Sequence, residues 1–86
     1  MWEVRFTKNA TKDMKRLKAA GLDIKTKNII KAMMDNPFIE TPSYEKLKGK
    51  LEGYYSRRIN IQHRLVYRID ESNHVIIVSS MWSHYE

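Results

Sequence analysis

The apolar residues of this 86-residue chain change their spacing once, and that change splits it into a helical first half and a stranded second half. Ala10, Met14 and Leu17 recur at helical spacing through a Lys-rich segment that Thr7 or Asn9 can cap and Gly21 can end. A second helix is expected from about Leu22 to Asp35, with Leu22, Ile29, Ile30, Met33 and Met34 on its apolar side. Asn36-Pro37 closes it, because the residue before a proline is pushed out of the α region. From Tyr54 the period falls to two: Tyr55, Arg57, Ile59 and Ile61 share one parity, and Ser56, Arg58 and Asn60 the other. Residues 64–69 and 74–81 are rich in β-branched and aromatic types and flank an Asp70-Glu71-Ser72-Asn73 turn. Ahead of the helices, Trp2, Val4 and Phe6 alternate with Glu3 and Arg5 as a half-buried strand does. Residues 37–52, with Pro42 as a second breaker, read as a basic, irregular connection. The expected fold is α+β in the order β-α-α-β-β-β, a helical hairpin packed on a mainly antiparallel sheet. A chain this short makes one domain, 1–86, with a small core.

Charge narrows the partners. The net charge is +6, which favours polyanions, nucleic acid above all. Residues 5–31 carry nine Lys or Arg against two Asp, and residues 44–68 carry seven against two Glu, so the excess lies on the helices and on the first strands of the second half. A solvated Lys-rich surface, an RNA-binding face and a surface for an acidic protein all fit this distribution. Cysteine is absent, so neither a disulfide nor a thiolate metal ligand is available, which fits a reducing cytosol. No apolar run approaches the roughly 20 residues of a membrane span, and MWEVRFTKNA lacks a signal-peptide layout. The chain is expected to be soluble and cytoplasmic, with no membrane partner.

The stretch Tyr54-Tyr55-Ser56-Arg57-Arg58-Ile59, followed by His63-Arg64-Leu65-Val66-Tyr67, resembles the core signature of YoeB/Txe-type toxins, a branch of the RelE/ParE superfamily. Glu45-Lys46-Leu47-Lys48-Gly49 is similar to that family's Glu-x-Leu-Lys segment, Pro37-Phe38 fits after the second helix, and Ser83-His84-Tyr85 resembles its His-Tyr ending. Glu86 then adds an acid beyond the family pattern. The resemblance runs over essentially the whole chain and implies a RelE-like fold.

It also implies the toxin half of a type II toxin–antitoxin pair: a ribosome-dependent messenger-RNA endoribonuclease in which the substrate's own 2′-hydroxyl attacks the adjacent phosphate. That reaction needs a group to take the 2′-OH proton, a group to stabilise charge on the phosphorane-like transition state, and a group to protonate the departing 5′-oxygen. By resemblance, Glu45 is the general base, Arg64 the phosphate clamp and His84 the general acid, and Tyr85 supports the nucleotide. A planar guanidinium suits two phosphate oxygens at once, and imidazole titrates near neutral pH. Lys48, Lys50, Arg57 and Arg58 are expected to add RNA contacts. No metal or cofactor is called for. The implied partners are mRNA in the ribosomal A site, ribosomal RNA, a YefM/Phd-type antitoxin with an acidic tail, and a second copy in a homodimer.

Plainer readings stand beside these. Apart from the resemblance, Glu45 is a surface carboxylate and Arg64 a strand-surface cation. Side chains alternate along a strand, so Arg57 and Arg58 point to opposite faces and at least one of them has room for a structural role. His63 points away from Arg64 and is expected to be structural. His74 falls in an exposed turn, and the three histidines lack the spacing of zinc ligands. Tyr67 and Trp82 suit packing. Two rival functions remain: a ParE-like toxin acting on DNA gyrase without nuclease activity, and a basic, non-catalytic nucleic-acid-binding module.

Overall fold

Thr7 starts the first helix in the computed structural model, which describes residues 1–82. Its backbone is extended and its Oγ1 accepts the Ala10 N–H at 3.2 Å, which satisfies one of the amides a helix start leaves open. Helix α1 runs Lys8–Ala19 after strand β1, Glu3–Phe6. Gly21 takes φ +75° in the turn between the helices, a conformation that favours glycine. Helix α2 follows as Asp23–Asp35, with Asp23 at its positive N-terminal end. Asn36 is extended before Pro37, and its Oδ1 accepts the Phe38 N–H at 3.0 Å. No helix among the described residues is long and apolar enough to cross a membrane.

Strands β3 (Tyr55–Arg58), β4 (Arg64–Asp70) and β5 (Val75–Ser80) form the expected meander. One element adds to the expected order. Residues 37–52 are not wholly irregular: Tyr44–Lys46 forms a short strand, β2, antiparallel to β3, and a 3-10 turn follows at Gly49–Leu51. Among the described residues the sheet therefore has five strands in the order β1-β5-β4-β3-β2, antiparallel except for the parallel β1–β5 pair.

Both helices cover one face. Ala10, Leu17, Ile29, Ile30 and Met33 pack against Ile59, Leu65, Tyr67, Ile76, Val78 and Met81, with Val4, Tyr55 and Ile69 at the margin. Strand alternation then sends Glu45, Ser56, Arg58, Arg64, Val66 and Arg68 to the other face, which no helix covers among the described residues. His63 and Trp82 stack with ring centroids 4.1 Å apart. His63 is buried, in keeping with the structural role expected of it. His74 is exposed in its turn and stacks on Trp2 at 3.9 Å.

Candidate active site

Register alone brings the central groups together. Glu45 on β2 lies opposite Ser56 on β3, and Ser56 lies opposite Val66 on β4. Arg64 is two residues before Val66 and so projects from the same face, one step along the sheet. Its Nη1 donates to Glu45 Oε1 at 3.1 Å and to Ser56 Oγ at 3.1 Å. The Glu45 side chain is 60% exposed and that of Arg64 only 17%, so the carboxylate faces solvent while the guanidinium lies along the sheet. Ser56 is fully buried and its Oγ holds the same Nη1 that meets Glu45. Both bonds use Nη1, and among the described residues the other guanidinium N–H groups have no partner. The arrangement is an exposed carboxylate beside a half-sheltered, forked cation on an open sheet face, able to accept a proton and to bind an oxyanion within one small area.

Of the other expected residues, Lys48 and Lys50 are exposed at the 3-10 turn that follows β2, two and four residues beyond the strand's last residue, Lys46. Arg58 is exposed on the open-face parity, opposite Arg64, with Nη1 on the Ile61 carbonyl at 3.1 Å. It also lines a cleft of about 640 Å³ with Lys25, Ile29 and Pro42, to which neither Glu45 nor Arg64 contributes. His84 and Tyr85 lie outside the described residues.

Arg57 is a correction. Expected among the RNA contacts, it is instead fully buried on the helix-covered face. Its Nε donates to Tyr67 Oη at 2.9 Å, its Nη2 to the Pro37 carbonyl at 2.9 Å and its Nη1 to the Pro42 carbonyl. The guanidinium also lies 5.0 Å from the Tyr44 ring centre. A cation so enclosed cannot reach a phosphate. It ties the 37–42 connection to the sheet and so fixes the approach to β2, on which Glu45 sits. Its parity with Tyr55 and Ile59 was the signal for this placement. Burial also pushes the Tyr67 hydroxyl up to about 12, against the pull of the Arg57 cation. Ser56 was not singled out from sequence. Its parity with Arg58 placed it on the open face, but its bond to Arg64 depends on the register of three strands.

The chain matches a model of the family described as "YoeB-like toxin of bacterial type II toxin-antitoxin system" over residues 6–85. Toxin YoeB of Synechocystis sp. is 43% identical over 74 residues, which are 86% of this chain and 77% of that protein. Among solved structures, a YoeB/ParE toxin from Agrobacterium tumefaciens superposes with a TM-score of 0.88 at 30% identity, covering 96% of this chain and 99% of the other. The Staphylococcus aureus YoeB toxin is similar both in a heterotetrameric YoeB–YefM toxin–antitoxin complex (TM-score 0.82, 34% identity, 99% of each chain) and as a YoeB dimer (TM-score 0.80, 35% identity, 98% of each chain).

Proposed function

The chain belongs to the YoeB-like toxins of bacterial type II toxin–antitoxin systems, and from that premise we propose that it is a metal-independent endoribonuclease that cuts messenger RNA on the ribosome. The observation that carries the reading is the Glu45–Arg64 pair, 3.1 Å apart on the open face of the sheet. Glu45 takes the proton from the 2′-hydroxyl at the cut site. The freed oxygen attacks the neighbouring phosphorus, and Arg64 leaves Glu45 to hold the non-bridging oxygens as their charge grows. His84 delivers a proton to the 5′-oxygen as the P–O bond breaks, and Tyr85 supports the nucleotide. The products are a 2′,3′-cyclic phosphate and a free 5′-hydroxyl.

His84 and Tyr85 follow Trp82 by two and three positions in the chain, and their approach to the Glu45–Arg64 pair is part of this proposal. Lys48, Lys50 and Arg58 supply phosphate contacts around the cut site and to ribosomal RNA. The YefM-bound and dimeric Staphylococcus aureus structures support two partners for this chain: a YefM/Phd-type antitoxin whose acidic segment covers the basic face, and a second copy of itself.

The test is a translation extract programmed with one message and mapped for 5′ ends. Codon-positioned cuts that disappear in Glu45→Ala and His84→Ala establish the nuclease. Intact message together with gyrase-dependent DNA breaks would assign the chain to the gyrase-directed branch instead.

A further inference from the structure

We infer that one face of α1 is a positioning device for the carboxyl end of the chain, with Asp13 at its centre. Asp13 fixes where the chain leaves the sheet at Met81, just ahead of His84-Tyr85 in the sequence. The inference rests on the reading of those residues given above, and it adds a group that touches none of the reacting atoms.

Four side chains of this region hold the chain from Ser79 to Trp82. Thr7 Oγ1 and Asn9 Nδ2 donate to the Ser79 carbonyl at 3.0 and 3.2 Å. Asp13 Oδ2 accepts the Met81 N–H at 2.9 Å, and Asn9 Nδ2 steadies the same oxygen at 3.4 Å. The Arg16 guanidinium lies 5.7 Å from the centre of the Trp82 ring. Asn9, Asp13 and Arg16 stand at i, i+4 and i+7, which puts them in one row along the helix.

Asp13 is the unexpected member. It is 5% exposed on a helix whose neighbouring Lys12 and Lys15 are exposed, and a buried carboxylate needs a specific reason. The reason is the Met81 amide. Strand β5 ends at Ser80, so this N–H lies beyond the ladder, and the carboxylate gives it a strong acceptor. Met81 itself is fully buried, and the next residue, Trp82, stacks on His63. The clamp therefore sets where the chain leaves the sheet, through Met81 and Trp82. One residue, Ser83, separates Trp82 from His84 in the sequence.

The experiment compares Asp13→Ala, Asp13→Asn and Ile30→Val in the full chain, the last as a folded control destabilised in the core by about 1 kcal/mol away from the clamp. Asn keeps an oxygen facing the Met81 amide and Ala does not. Two readouts are used. The first is kcat and KM for cleavage of ribosome-bound message. The second is acrylamide quenching of Trp82 with Trp2→Phe in every variant, which requires no nuclease activity. Asp13→Ala is expected to lower kcat about tenfold to a hundredfold, the scale of an ångström-sized misplacement, with KM held and Trp82 more readily quenched. Asp13→Asn and Ile30→Val should keep most of the rate and the quenching of the parent. An Asp13→Ala protein with the kcat of the Ile30→Val control, or with Trp82 quenched no more than in the parent, overturns the inference. A parent chain that cuts no message sinks the nuclease reading instead, and quenching alone then decides whether Asp13 anchors the tail.

Discussion

Arg57 and Arg64 lie on neighbouring strands, Arg57 directly opposite Leu65, yet the two faces of the sheet use the same guanidinium in opposite ways. On the helix-covered face, Arg57 is enclosed and spends its donors on two backbone carbonyls and a phenol. These are neutral acceptors built into the fold, and no ligand can replace them. On the open face, Arg64 is held by one buried hydroxyl and one exposed carboxylate, and the carboxylate can be exchanged for a phosphate. A cation locked by fixed acceptors supports the structure, whereas a cation held by a replaceable partner is poised to bind. The side of the strand, and not the residue type, decides which it becomes.

The strongest way to test that contrast is to remove each side's key group and measure stability and cleavage separately. Glu45→Ala is expected to lower the cleavage rate by about 10²–10⁴-fold, the usual contribution of a general base. Its unfolding free energy in urea should change by less than about 1 kcal/mol, because an ion pair with so exposed a carboxylate adds little. A loss of several kcal/mol would show that the open face is also structural, and the contrast would collapse. Arg57→Leu is expected to do the reverse. It leaves two carbonyls and the Tyr67 hydroxyl without their donor and should destabilise the chain by about 3 kcal/mol, since bonds to a charged group contribute about 1.5–3 kcal/mol each and such losses do not simply add. Arg57→Lys should recover only part of this, because an ammonium cannot span three forked acceptors. A stable Arg57→Leu protein that has merely lost RNA affinity would return this residue to the RNA contacts.

Most of the framework was legible in the sequence, and of the candidate site the residue types were legible but not their contacts. The helices were legible because Ala10, Leu17, Ile29, Ile30 and Met33 repeat at one period and all are buried, with Thr7, Gly21 and Pro37 punctuating them. Strand β2 was not legible: three residues, two of them charged, next to Pro42 carry no alternation strong enough to read, and only pairing with β3 makes them a strand. Glu45 and Arg64 were found through the resemblance, but their contact depends on β2 existing and on its register. Arg57 was misread because a basic residue between a serine and another arginine looks like a phosphate contact. What reverses it is the pair of carbonyls at Pro37 and Pro42, which are 20 and 15 residues away along the chain. Asp13 escaped for the same reason, since its partner amide lies 68 residues further on.

The smallest expected effect concerns the phenol that completes the Arg57 site. Burial holds the Tyr67 proton up to about 12, from an ordinary value of 10.0. Unfolding exposes the ring and returns it to the ordinary value. Between pH 10 and 12 the unfolded chain therefore gives up a proton that the folded chain keeps, so the folded state binds more protons and stability falls as pH rises through that window. Below pH 10 the contribution is present in full. Alkaline titration of the folded protein, followed by phenolate absorbance, should show one of its five tyrosines ionising last. Tyr67→Phe should remove that late step, leave Arg57 Nε without its acceptor, and cost about 1–3 kcal/mol near neutral pH. Cleavage by the folded variant should stay close to the parent, since the phenol faces the helices and not Glu45. If Tyr67 instead titrates with the exposed tyrosines, water reaches the helix-covered face, and Arg57 is less firmly enclosed than its hydrogen bonds indicate.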